Sequence, residues 1–195
     1  MRKVREPAAL LSDHQKQWAP LPPPRTRILP AFKPLGDLGI DRELAAMLSS
    51  SPQERTALIE LFRTVKQGYE AEVRKAGKSN NTAGALTFFI ATCVVVHNQA
   101  PEPSDAAAEN LFQVLNDLVA EAPESAQMSD REKQAMHDRL IYLAGLVLAG
   151  YSQGVQQNNA ELVNTFRALA GVFLRSLLNI DAGKVHFTAT GMEQP

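Results

Sequence analysis

The chain has 195 residues, 45% of them hydrophobic and 21% charged, with a formal net charge of −1. That length suits one well-buried domain plus a tail, and the composition is that of an ordinary soluble globular protein. The charge balance argues against a dedicated nucleic-acid binder, which carries a basic excess. The single cysteine, Cys93, excludes an internal disulfide.

The opening MRKVREPAALLSDHQKQW is basic, but has only an Ala-Ala-Leu-Leu patch where a secretory leader needs a longer apolar run. As it stands the sequence reads as cytoplasmic; a leader missing from this chain would make the protein periplasmic or exported. The longest apolar runs, near 83–96 and 140–151, have the length of buried core helices and are too short for membrane spans.

Residues 1–34 differ from the rest. They hold seven Lys and Arg against two acids, leaving 13 basic against 19 acidic residues elsewhere, and six prolines fall between Pro20 and Pro34. Proline blocks helices and strand ladders and favours polyproline II, so this segment is expected to be an extended, flexible, basic arm. Pro20, Pro23 and Arg25 fit a PxxPxR ligand, although such matches arise easily in proline-rich segments.

The main domain is expected over residues 35–182. A short helix begins near Asp41. Ser51, Pro52 and Glu54 form the start signal of a second, a capping box with proline at the first helical position. Leu58, Leu61, Phe62, Val65, Tyr69 and Val73 then recur at helical spacing up to Gly77. Asn80 or Asn81 caps the next segment, whose apolar residues spread around the circumference and predict burial on several sides. Its run Val94–Val96 would also suit a strand. Pro101 and Pro103 break the chain, Ser104 caps, and another helix runs to about Ala122 with Leu111, Leu115 and Leu118 inward. No Lys or Arg occurs from Ser79 to Asp130, while seven acids do. This acidic helix face is a natural dock for the basic arm, within one chain or between copies.

Ser129 and Glu132 form a second capping box, and Met136, Leu140, Leu143, Val147 and Tyr151 keep helical spacing beyond it. Asn158–Glu161 punctuates, read as a cap with Glu161 at the third position. A last helix carries Leu162, Phe166, Leu169, Phe173 and Leu177. The tail from Gly183 alternates Val185, Phe187 and Ala189 with His186 and Thr188, as a short strand or an extended lid would.

Gly150-Tyr151-Ser152-Gln153-Gly154 matches the G-x-S-x-G elbow and is similar to that of cutinase-type hydrolases. That resemblance implies Ser152 as nucleophile, His186 as its base and Asp181 as the orienting acid, in the chain order of that fold. The surroundings argue that the match is coincidental. An elbow needs a strand before the serine, whereas a helical pattern started by Ser129 runs through it. Gly150 and Gly154, like Gly145 and Ala149, are four apart, a spacing at which small residues let a neighbouring helix approach.

Cys93 and His97 share a helix face one turn apart; in apolar surroundings this reads as inert core. The four histidines are scattered, with no H-E-x-x-H and no Glu three residues before any of them, so no metal site is expected. No phosphate-binding loop occurs, and no cofactor is implied. Asn81, His97, Tyr142 and Tyr151 are the polar groups expected in or near the core, as caps and satisfied hydrogen bonds or as a small-ligand pocket.

The segments at 80–98, 128–157 and 174–191 resemble, in order and flavour, a bacterial family of helical domains of unknown function whose members are often exported. The resemblance spans roughly residues 50–190 and supplies no active site. The resulting expectation is an all-α bundle of about five helices with an extended tail at 183–195. Its function would be a non-enzymatic binding or interaction module, acting through a protein partner or self-association. The alternative is a serine hydrolase using Ser152.

Overall fold

In the computed structural model, which describes residues 30–179 and 181–193, each long helix begins at a side chain that satisfies its first free N–H groups. The described residues form seven α-helices: α1 Ile40–Leu48, α2 Pro52–Lys75, α3 Thr82–Asn98, α4 Asp105–Glu121, α5 Pro123–Gln127, α6 Asp130–Gln156 and α7 Ala160–Leu178. Ser51, Asn81, Ser104, Ser129 and Asn159 cap the five long ones. The all-α class is therefore as expected. The expectation of about five helices understates the total, because the single turn of α5 and the short α1 add to the five of 17 residues or more.

Two of the caps differ from their sequence reading. The Ser129–Glu132 box is reciprocal. At α2 only half of the box forms: Ser51 Oγ accepts from the Glu54 N–H, but the Glu54 carboxylate accepts from Ser49 Oγ instead. Between α6 and α7, Asn158 takes the left-handed conformation (φ 50°) and Asn159 is the cap. Glu161 thus stands at the second helical position, where it still faces the positive end of the helix dipole.

Helix α3 lies at the centre, packed against α4, α6 and α7. Ile90, Cys93, Val94 and Val96 are fully buried, and this burial outweighs the strand preference of the valines. Their neighbours include Leu111, Leu115, Val147, Ala170 and Leu174. A second cluster joins α1, α2 and the other face of α6 through Ile40, Leu44, Phe62, Tyr69, Ile141 and Tyr142. Leu118, expected to face inward, is exposed.

The glycines of α6 lie against its neighbours. A Cβ at Gly150 would overlap the Phe166 ring of α7, and one at Gly154 would lie 2.9 Å from the Val163 backbone nitrogen. At Gly145 it would lie 2.6 Å from Val65 of α2.

Both ends of the described chain are tied down. Although residues 1–34 read as one arm, its last residues belong to the packed fold. The Pro30 carbonyl accepts from Thr82 N (3.1 Å) and Thr82 Oγ1 (3.0 Å), and Phe32 N–H donates to the Asn80 carbonyl (3.0 Å). Pro30 and Phe32 are buried. The PxxPxR motif at Pro20–Arg25 lies outside the described residues. After α7, a 3-10 turn at Ala182–Lys184 leads to a two-stranded antiparallel ribbon pairing His186 with Glu193 and Phe187 with Met192. Asn98 Nδ2 donates to the Ala182 and Val185 carbonyls (3.2 and 2.7 Å), and Ser104 Oγ to that of Ala189 (2.7 Å). The tail is thus partly a strand pair and is bound to the ends of α3 and α4. Among the described residues no helix is long and apolar enough to cross a membrane.

Candidate ligand-binding cleft

Residues 32–41 cross the faces of α2 and α6 as a connecting segment, and a cleft of about 400 Å³ opens between the three. The segment is held from below by Gln134 of α6. Gln134 Oε1 accepts from Leu35 N–H (2.7 Å), and Gln134 Nε2 donates to the Gly36 carbonyl (2.6 Å). The ring of Phe32 meets His137 edge-on at 5.1 Å. Gln134, His137 and Asp138 recur at three- and four-residue steps on the face of α6 that continues to Ile141 and Tyr142, and all five are buried.

Charges converge there from three elements. Asp138 Oδ2 accepts from Lys66 Nζ of α2 (2.8 Å), and its Oδ1 lies 3.0 Å from His137 Nδ1. Lys66 is also 3.7 Å from Glu70. Asp41, at the start of α1, accepts from Arg63 Nε through Oδ2 (2.9 Å) and from the Arg42 N–H through Oδ1 (2.8 Å). Asp37 accepts from the Gly39 N–H (2.7 Å) and from Arg42 Nη1 (3.0 Å). Buried charges must be paired and hydrogen-bonded to be tolerated, and Asp41 and Asp138 are both.

Their ionisation follows from these partners. Burial alone would raise the Asp138 carboxyl, but the hydrogen bonds from His137 and Lys66 hold it below its ordinary value. Asp37 is lowered by the Gly39 N–H and by Arg42. Tyr142 stacks on Phe62 at a centroid distance of 5.1 Å. Burial, reinforced by the carboxylates of Asp138, Asp41, Asp37 and Glu70, pushes its phenol far above the usual range, so it stays neutral. Tyr142 is only 5% exposed and forms part of the cleft wall, and its hydroxyl has no hydrogen-bond partner among the described residues. Among the described residues, no three His, Cys, Asp or Glu side chains are grouped to hold a metal ion.

A family model described as a family of unknown function (DUF6683) matches residues 12–194. The chain belongs to the DUF6683 family. No curated protein and no solved structure matches it.

In this DUF6683 chain the polar residues singled out by sequence do not form one site. Tyr142 lines the cleft. Asn81 caps α3, accepting from the N–H groups of Ala83 (2.8 Å) and Gly84 (3.2 Å), and reaches Asn116 of α4 (3.4 Å). His97 Nδ1 lies 2.9 Å from the Arg167 carbonyl while Arg167 Nε donates to the His97 carbonyl (3.1 Å), a reciprocal link between α3 and α7. Tyr151 packs on the larger core cluster. Burial pushes the Cys93 thiol up to about 12, which leaves it a neutral core group.

The hydrolase residues also fall apart. Ser152 sits inside α6, with helix continuing to Gln156. Asp181 Oδ1 accepts from the Gly183 N–H (3.2 Å), and among the described residues the ring of exposed His186 has a single 3.5 Å approach of Nδ1 to the Lys184 carbonyl. No hydrogen bond joins the three among the described residues. The helix removes the strained strand-to-helix turn on which an elbow serine depends.

The cleft residues Asp41, Arg63, Lys66, Gln134, His137 and Asp138 were not indicated as a group by the sequence. The available signal was the recurrence of Gln134, His137 and Asp138 on the face that leads to Ile141 and Tyr142.

Proposed function

We propose that this DUF6683 protein is a non-enzymatic binding module whose ligand occupies the cleft between residues 32–41, α2 and α6. The observation that carries this reading is the gathering of buried Asp41, His137, Asp138 and Tyr142 at the wall of an accessible space. A cluster kept only for stability gains little over well-packed apolar residues of similar volume. A few convergent polar groups set in aromatic walls are what a small-ligand site requires. The test is nuclear magnetic resonance of the full chain against a fragment set of mixed charge. Saturable shifts should concentrate at Gly36, Arg63, His137 and Tyr142. Shifts scattered over the surface, or saturating elsewhere, would reject the reading.

The basic segment is proposed to dock on the acidic face of α4, in the same chain or a second copy. Supporting this, Pro30 anchors beside Asn81, whose side chain reaches Asn116 of α4, so the chain enters the fold next to that helix. Cleavage of residues 1–29 by protease should be slow at low salt and fast at high salt, because exposed charge pairs are screened; equal rates would reject the docking. The competing hydrolase reading predicts labelling by a fluorophosphonate probe that Ser152→Ala abolishes. The helical setting of Ser152 predicts no such labelling.

A further inference from the structure

From the charges and the free hydroxyl in its wall, we infer that the cleft binds an organic cation, an ammonium or guanidinium group. This rests on the cleft being the binding site. Six charged side chains line it: Asp37, Asp41, Glu70 and Asp138 against Arg63 and Lys66. Arg63 is engaged with Asp41 at 2.9 Å, Lys66 with Asp138 at 2.8 Å, and Arg42, at the cleft edge, with Asp37 at 3.0 Å, which leaves Glu70 as the carboxylate in excess. The residual field is therefore negative, and a concave low-dielectric wall concentrates it.

Hydrogen-bonding capacity points the same way. Tyr142 is buried, but its hydroxyl reaches the cleft and makes no hydrogen bond among the described residues, and the carboxylates of Asp138, Asp41, Asp37 and Glu70 lie near enough to act on it. Among the described residues, Glu70 has only the 3.7 Å approach of Lys66. Both can accept a further hydrogen bond. Ammonium and guanidinium groups offer donors and nothing else, so such a group satisfies the wall without leaving a ligand acceptor unmatched. Phe32 and Tyr142 add aromatic surface that attracts a cation. An anion would meet the excess carboxylate of Glu70 and would have to displace an existing ion pair to reach Arg63 or Lys66.

The cation could belong to a free amine or to a Lys or Arg side chain of a peptide. The experiment titrates the full ¹⁵N-labelled chain, at constant ionic strength, with butylammonium, butylguanidinium, and end-blocked glycine peptides holding one Lys or one Arg. Butyrate, inorganic phosphate and butanol are the comparison probes. Saturable shifts of the Gly36, His137 and Tyr142 amides are expected with a cationic probe at roughly 10 mM or below. Small amines and peptides that bind alike point to a shared side-chain-like headgroup, and peptides that bind at least tenfold tighter point to a protein ligand. Tyr142→Phe keeps the ring on Phe62 and removes only the hydroxyl; it should weaken binding about tenfold. Glu70→Gln, at a partly exposed position that folding tolerates, should weaken it about threefold. Saturable binding of butyrate, phosphate or butanol in preference to the cations would overturn the cation while leaving the cleft a binding site. No saturable shift there with any probe would overturn both. Cation binding unchanged by both substitutions would overturn the assignment of these groups.

Discussion

Asp138 is the residue on which the cleft depends most. It is buried, it accepts from Lys66 at 2.8 Å, and it lies 3.0 Å from His137. Replacing it with Asn keeps the shape but leaves the Lys66 ammonium, only 22% exposed, with only the more distant Glu70 (3.7 Å) as counter-charge among the described residues. Asp138→Asn should cost about 1–3 kcal/mol at neutral pH by urea denaturation. The pH dependence has a definite sign. The folded-state carboxyl lies below its ordinary value, so the unfolded chain takes up this proton more readily, near an unfolded value of about 3.9. The contribution is present above that value and is lost as pH falls through the folded-state value. The stability gap between the native chain and Asp138→Asn should therefore be full at about pH 6–7 and narrow as pH drops below about 4. A gap that stays constant down to pH 3 would show that Asp138 is not the ionised partner.

At the level of elements, α6 does most of the organising. Gly150 and Gly154 admit α7 on one face, while the face that carries the polar wall of the cleft continues to Gly145, which admits α2. Gly150→Leu places a side chain into the Phe166 ring and should cost about 1–3 kcal/mol or more, read as a lowered Tm. Gly68, inside α2, is the internal control, since a Cβ there meets nothing within 4 Å. Gly68→Ala should stabilise by about 0.5–1 kcal/mol, because alanine loses less backbone freedom in a helix. If both substitutions shifted Tm in the same direction, close packing at Gly150 would not be the cause.

Across the whole molecule, the cleft lies where the N-terminal chain meets the helices. Hydrogen bonds of the backbone around Pro30–Phe32 to Asn80 and Thr82, with those of Leu35 and Gly36 to Gln134, hold the segment that forms one wall. An event that pulls on residues before Pro30 would thus be felt at the site. Gln134→Ala removes two of these attachments and leaves the α3 core untouched. Hydrogen exchange of the Leu35 amide should speed up about tenfold, with little change at Ile90 or Val94. Equal acceleration in both places would mean that the segment and the core open as one unit.

The helical class, the cap residues, the short helix near Asp41 and the close approach at Gly150 were legible in the sequence. They depend on spacing and on capping chemistry within a few residues, and local hydrogen bonds decide them. Even so, α5 escaped notice and Asn158–Glu161 was read one residue out of register, since neighbouring asparagines can each cap. The site belongs to the other kind of information. Lys66 and Asp138 are 72 residues apart, Asp41 and Arg63 are 22 apart, and Gln134 and Gly36 are 98 apart. On an isolated helix, Lys66, His137 and Asp138 read as solvated polar residues. Only the crossing of α2, α6 and residues 32–41 removes water from them and sets their charges against one another. The sequence by itself determined that this chain is a capped, glycine-packed helical domain. The tertiary structure alone decided which of its polar residues are buried together, because burial and long-range pairing depend on chain segments that no local pattern brings together.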